Sequence, residues 1–539
     1  MRKSILALIF VVLSCCAYGQ PFTTQDTLRG SITPERAWWD LNHYDLQVTV
    51  DPENQSISGS NRISFTAIES DYIVQVDLQE PLSIENITQD GKELLFFSEG
   101  PAHFVKLQDT LNMGESTSIT VHYAGKPHVA VRPPWDGGIT WQEDDNGLPL
   151  IASSCQGIGA SIWWPNKDHM YDEVDSMDIT LTVPDHLMGV ANGKLINVSK
   201  NDGQASFHWK VRNPINNYGV NLSVGDYVHF GENYRGEGGD LDLDYYVIRD
   251  NEKKAREQFK QVPIMMDAFE HWFGPYPFYE DGFKLIEVPY LGMEHQSAVT
   301  YGNGYANGYR GMDLSGSGWG LLFDYIIIHE AGHEWFANNV TYRDRADMWV
   351  HEGFTAYSEC LFVEYHHGKD AGAEYVRGTR RGLRNDKPII APYGVNAMGS
   401  GDMYFKGANM LHTLRQVVNN DDKWRKLLRA INSEFYHQTI TSAQLESFMA
   451  EFLELDLNSF FDQYLRTSDR PILEYYTEEG KLRFRWTHVV DGFAMPIKVM
   501  VNDVPTLIAP SDTWRGIDIK EDATIEIDPN YYVAYMKLK

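Results

Sequence analysis

The chain has 539 residues, a formal net charge of −29 and a 43% hydrophobic share. That length exceeds what one hydrophobic core organises, so three or more folding units are expected. Such a surplus of acids excludes the basic patches that nucleic acid requires and disfavours tight association with anionic membranes; on bulk charge alone, a weak preference for cationic ligands is expected.

The first predicted element is a targeting segment. Arg2 and Lys3 precede the apolar run Ile5 to Leu13, and Ala17-Tyr18-Gly19 forms a small-x-small site. This pattern predicts a signal peptide over 1–19, cleaved before Gln20, and a periplasmic or extracellular destination. The apolar run is too short to span a bilayer, and no integral membrane segment is expected once it is removed. A lipid anchor on Cys15 or Cys16 is the second reading. Cys155 and Cys360 then remain, and two buried thiols are expected rather than a bridge.

From Trp38 to about Asp226 apolar residues alternate, as in Tyr44, Leu46, Val48, Val50 and again in Met177, Ile179, Leu181, Val183. Period-two alternation predicts strands, here an antiparallel β domain over 20–230. The glycine-rich stretch Gly231 to Gly239 reads as a break. A mixed, mostly helical unit over 231–465 follows. It includes helical stretches at Asn251 to Phe273, Ala408 to Val418, Lys423 to Glu434 and Ser442 to Phe452, with strands around Phe283 to Val288. The turn-rich joint Arg466 to Pro471 leads into alternating residues such as Leu482, Phe484 and Trp486, which predict a small β-sandwich over 466–539. The expected class is multidomain α+β.

The chemistry is carried by His329-Glu330-Ala331-Gly332-His333, with eighteen residues separating the second histidine from Glu352. A helix advances by about 100° per residue, so i and i+4 share a face and both imidazoles can reach one metal ion. The apolar run from Ser317 to Ile328 reads as a buried helix entering the motif. Trp349 to Glu359 reads as a second buried helix, on which Glu352 supplies a third ligand. Three protein ligands leave one position open, the layout of a catalytic zinc. Glu330, beside the first ligand, is placed to act as general base. His351 points about 100° away from Glu352, which makes it a supporting or surface group rather than a fourth ligand.

These motifs resemble the aminopeptidase N family of gluzincin metallopeptidases, which carries HExxH, eighteen residues, then Glu. The Trp349 to Glu359 string is similar to that family's second zinc helix, with His351 in place of its usual Asn. Leu291-Gly292-Met293-Glu294-His295 is similar to the family's G-x-M-E-N; Met293 and Glu294 match, and Leu291 and His295 depart from it. Tyr404-Phe405-Lys406-Gly407-Ala408 looks like its Y-x-K-G-A, and Ser154-Cys155-Gln156 is similar to its early Gln or Glu. The resemblance runs from about Trp38 onward. It implies an N-terminal β domain, a thermolysin-like zinc catalytic domain and a small C-terminal β domain. It further implies one zinc ion on His329, His333 and Glu352, with catalysis by Glu330 and Tyr404. Glu294 and Gln156, with Gly292 and Met293, would receive the free N-terminal amine of a peptide.

The expected activity is therefore release of N-terminal residues from peptides by a metal-activated water. Endopeptidase or epoxide-hydrolase chemistry on the same frame, or a catalytically inactive binding protein, are the rival readings. The loop Gly302 to Tyr309 reads as a flexible connection placed where it could wall the cleft.

Overall fold

The structure, a computed structural model, describes residues 22–539. The expected signal segment, with Cys15 and Cys16, lies outside the described residues.

The alternation of the first half becomes an eight-stranded sheet whose long members include Trp39–Asp51, Ser56–Ala67, Ser116–Gly125, Ser176–Pro184 and Gln204–Val211. Tyr44, Leu46, Val48 and Val50 are all buried, as one face of a sheet packed on a core requires. One pairing departs from a purely antiparallel domain: Trp39–Asp51 runs parallel to Ser176–Pro184, with Tyr44 opposite Met177. Parallel neighbours need a long crossover. The chain between them supplies it, and it includes Pro149–Ser154 of a four-stranded sheet, which ends just before Gln156.

The expected break at Gly231 to Gly239 is instead a hairpin. Tyr227–Gly236 pairs with Gly239–Ile248, and Gly231 faces Asp244 within the ladder. A Cβ on Gly231 would come within 2.8 Å of the Leu243 carbonyl oxygen, so this glycine serves close strand approach rather than linker flexibility. The hairpin opens a five-stranded sheet completed by Phe283–Glu287, Val299–Tyr301 and the edge strand Gly292–Met293. Residue 231 is thus mid-strand, and the chain enters this layer upstream of it.

Three helices frame the site: α1 (Tyr325–Gly332), α2 (Trp349–His367) and α3 (Phe405–Val418). The helix expected from Ser317 begins only at Tyr325, because Asp324 caps it: its carboxylate accepts from the backbone N–H of Ile326 at 3.1 Å. Leu321 and Leu322, on the preceding short turn, are exposed. Asp324 also accepts from Tyr301, Asn303 and Gln258, each at 2.7 Å, which ties the start of α1 to the sheet layer and its loops. Behind the site pack Gln261–Phe273, Asp421–Glu434 and Ser442–Leu453.

After the Arg466 joint, two small sheets follow, one built on Ile472–Glu478 and Lys481–Thr487 and the other on Ile497–Val501. Leu482, Phe484, Trp486, Ile497 and Val499 fill the space between them. Cys155 and Cys360 are buried free thiols. Among the described residues no helix is long and apolar enough to cross a membrane.

Candidate active site

Residues that are far apart in the chain meet where α1 and α2 cross. His329 and His333 project from the end of α1 with their rings 5.0 Å apart and nearly perpendicular. Glu352, in the first turn of α2, brings Oε2 to 3.8 Å from His329 Nε2 and 3.4 Å from His333 Nε2. All three side chains are buried.

The outer ring nitrogens fix the tautomers. His329 Nδ1 lies 2.7 Å from Glu359 Oε1, and His333 Nδ1 lies 3.0 Å from the Phe336 carbonyl oxygen. A carboxylate and a carbonyl only accept, so both Nδ1 atoms carry hydrogen and both Nε2 lone pairs face Glu352. Tyr375 in turn donates to Glu359 at 2.6 Å. Glu352 Oε1 accepts from Gln156 Nε2 at 3.0 Å, whereas its Oε2 is buried with no hydrogen-bond partner. An orphaned carboxylate oxygen facing two imidazole lone pairs is costly unless a cation sits among them. The donor set of two imidazoles and one carboxylate fits a zinc ion.

Glu330 faces the same cavity, and burial pushes its carboxyl up to about 7. Glu294 follows the edge strand Gly292–Met293. Its Oε1 accepts from Gln156 Nε2 at 2.6 Å and from the Tyr218 hydroxyl at 3.2 Å. Ligand-type atoms of Glu294, Glu330 and His333 all lie within 4.8 Å of one another. Gly292 is required by space, since a Cβ there would stand 2.6 Å from Ile326 Cγ2 on α1. Met293 is buried beside it and borders the cavity. Tyr404 immediately precedes α3, with its ring 6.0 Å from that of His329. Gln156, Glu294, His329, His333, Glu352 and Tyr404 all border one cavity of about 330 Å³.

The structure therefore brings together every residue singled out from the sequence. The two departures from the family motif are accommodated differently. Leu291 lines the cavity, whereas His295 is fully buried with neither ring nitrogen bonded, and burial lowers it to about 3, so the ring is neutral. His351 is not a surface group: it is fully buried, and its Nε2 accepts from the Tyr342 backbone N–H at 2.8 Å. The Gly302 to Tyr309 loop is tied rather than free, through Asn303 to Asp324 and Tyr305 to Glu287, each at 2.7 Å, and Tyr309 walls the cavity.

Several partners escaped the sequence reading. Glu359 had a signal, since it lies two helical turns beyond Glu352 on the same face. Tyr218 had none: it comes from the N-terminal half, 76 residues before the Glu294 it contacts.

Helix packing explains two motif glycines. A Cβ on Gly407 of α3 would come 2.8 Å from the Cα of Gly353 on α2. Glycine at both positions lets the helix backbones touch, which draws Tyr404 toward the metal ligands.

Residues 259–464 match the model described as the peptidase family M1 domain, and residues 41–218 match the peptidase M1 N-terminal domain. Among curated proteins, the chain is 21% identical to human endoplasmic reticulum aminopeptidase 1 over 74% of its own length and 44% of that protein. It is 22% identical to aminopeptidase N of Lactobacillus helveticus over 82% of its length and 52% of that protein. The chain spans about half the length of these curated relatives. An M1 zinc metallopeptidase of Deinococcus radiodurans, solved as a mutant with a Tyr-Ser-Ala substrate, shares the fold at a TM-score of 0.67 and 22% identity, covering 81% of this chain and 96% of that one. With its N-terminal domain and its HExxH-bearing domain, together most of the chain, both matched to models of one family, the chain belongs to peptidase family M1.

Proposed function

We propose that this protein is a zinc-dependent aminopeptidase that removes the first residue of peptides with a free amine. The observation that carries this reading is Glu294: a buried carboxylate, held by Gln156 and Tyr218, close beside Glu330 and His333. A carboxylate at a fixed short distance from the hydrolytic centre pairs with a substrate ammonium and counts one residue from the chain start. An internal peptide segment would leave it desolvated and unpaired, which a site built on a polar contact penalises heavily.

His329, His333 and Glu352 would hold the zinc, which when bound supplies a Lewis acid and a water acidified toward neutral pH. The remaining steps belong to the side chains. Glu330 takes the proton of the attacking water and passes it to the departing amine. The Tyr404 hydroxyl donates to the oxyanion that forms at the scissile carbonyl. The Gln156 amide nitrogen is committed to Glu294 and Glu352, so its carbonyl oxygen is the group left to accept from the ammonium. Gly292 and Met293 form the floor beside Glu294.

A panel of aminoacyl chromogenic substrates, free and N-acetylated, assayed with and without a chelator, tests the reading. The expected result is metal-dependent turnover of the free substrates only. Equal cleavage of acetylated peptides would point to endopeptidase chemistry, and turnover of an epoxide alone to the other rival. Gly407→Val should push α3 off α2 and displace Tyr404. Displacements of about 1 Å cost roughly a hundredfold in rate, so kcat should fall on that scale while zinc content stays near one ion per chain.

The same proposal includes export. Arg2, Lys3 and the apolar run to Leu13 support it. N-terminal mass spectrometry of the mature protein should find Gln20 first, and protein retained in the cytoplasm with Met1 intact would refute it.

A further inference from the structure

Arg345 borders the catalytic cavity, close to the loop that carries Gln156, and has no acidic partner. Its Nη1 donates to the Gly157 carbonyl oxygen at 3.0 Å and to Asn396 Oδ1 at 2.7 Å. Its Nε is buried with no acceptor. The ionisable groups near enough to act on it are Tyr342 and Arg29, neither of them a carboxylate. Arg345 is half-buried, and the fully buried arginines differ from it: Arg36 pairs with Asp77 at 2.6 Å and Arg415 with Glu364 at 2.7 Å, whereas the half-buried Arg380 is held, without an acid, by Asn409 Oδ1 and two backbone carbonyls. A half-buried guanidinium with an unmet Nε–H and no anion beside it is a position where a ligand can supply the missing charge.

Arg345 also forms the junction to a second cavity of about 60 Å³, bordered by Arg29, Arg343, Asp168, Asn396 and Tyr218. Three arginines and one acid thus border it. Tyr218 is the same residue that donates to Glu294, so this cationic recess lies behind the amine-binding end of the catalytic cavity. On the catalytic side, Trp135, Met348 and Met398 border the same cavity as Arg345. Apolar walls leading to an unpaired cation match a side chain with a short methylene stem and an anionic tip.

We propose that Arg345 selects peptides whose first residue is glutamate or aspartate, by pairing with the side-chain carboxylate while Glu294 and Gln156 hold the amine. This rests on the aminopeptidase reading and names its substrate class. It runs opposite to the preference for cationic peptides that net charge suggests. Bulk surface charge is screened over about 8 Å at physiological ionic strength, whereas an ion pair inside a cavity is not. The acids of the site do not oppose it, because Glu352 and Glu294 are committed to the metal ion and the substrate ammonium and Glu330 to the attacking water.

The test compares isosteric pairs. With the zinc-loaded full chain, kcat/KM is measured for Glu-, Gln-, Asp-, Asn- and Leu-p-nitroanilides. A charge-assisted hydrogen bond in place of a neutral one predicts that Glu exceeds Gln by about tenfold or more. Arg345→Met should bring that ratio to one or below, and Arg345→Lys, which keeps the charge, should hold it above one. Thermal unfolding of both variants checks that the fold survives, and the native ratio is decisive by itself. Turnover of Leu with Glu no better than Gln overturns the proposal and leaves the aminopeptidase reading intact. No turnover of any free-amine substrate sinks the aminopeptidase reading. A third arm exchanges gluconate for chloride at constant ionic strength. A free anion in the recess would change Gln and Glu rates alike with the ratio near one, and that result also overturns the proposal.

Discussion

Glu330→Gln is expected to lower kcat by roughly a thousandfold or more while the protein keeps its zinc, since general acid–base catalysis is worth about 10²–10⁴ and this carboxylate serves both proton transfers. The substitution preserves shape and hydrogen-bonding reach but removes the basic oxygen. None of the three metal-facing atoms belongs to Glu330, so metal content, read by elemental analysis, should stay at one ion per chain. Burial raises this carboxyl to about 7, in the direction that makes it a better proton acceptor. Pre-steady-state assays would show substrate binding without a chemical phase. Retained turnover with full zinc occupancy would remove Glu330 as the base.

The second large effect belongs to Glu294. Glu294→Ala should reduce kcat/KM on free-amine substrates by about 10³-fold, in line with the discrimination that sites built on an obligatory polar contact achieve. Slow cleavage of N-acetylated substrates should not fall in parallel, because these never use the carboxylate. The ratio of free to blocked activity is therefore the informative quantity, and it should collapse toward one. A parallel loss on both substrate types would mean that Glu294 supports the fold or the metal instead. The structure sharpens this prediction. Gln156 bridges Glu294 and Glu352, so Gln156→Ala should weaken amine binding less than Glu294→Ala does and should disturb metal affinity as well.

Much of the site was legible in the chain because its chemistry is local. HExxH spans a single helical turn, and the glycines at 292, 353 and 407 lie inside the motifs that they allow to pack. What could not be read were the supports. Tyr218 reaches Glu294 from the other half of the chain, and Arg345 reaches the Gly157 carbonyl from 188 residues away. Composition also misled at Gly231 to Gly239, where glycine's tolerance of close strand contact produces the same pattern as a linker. The late start of α1 had a signal in Asp324, a preferred capping residue, but apolar residues on both sides of it masked the boundary.

The sequence by itself singled out the proposed metal ligands and general base, and determined the succession of β-rich, mixed and β-rich segments and the fully helical character of α2. These follow from side-chain chemistry and from periodicity over a few turns. Only the tertiary structure decided how the chain crosses over to set Trp39–Asp51 parallel to Ser176–Pro184, which tautomer each histidine holds, and which buried charges find partners. Those outcomes depend on contacts between segments distant in sequence, where the free energy of a buried polar group is set by whatever the folded chain places beside it.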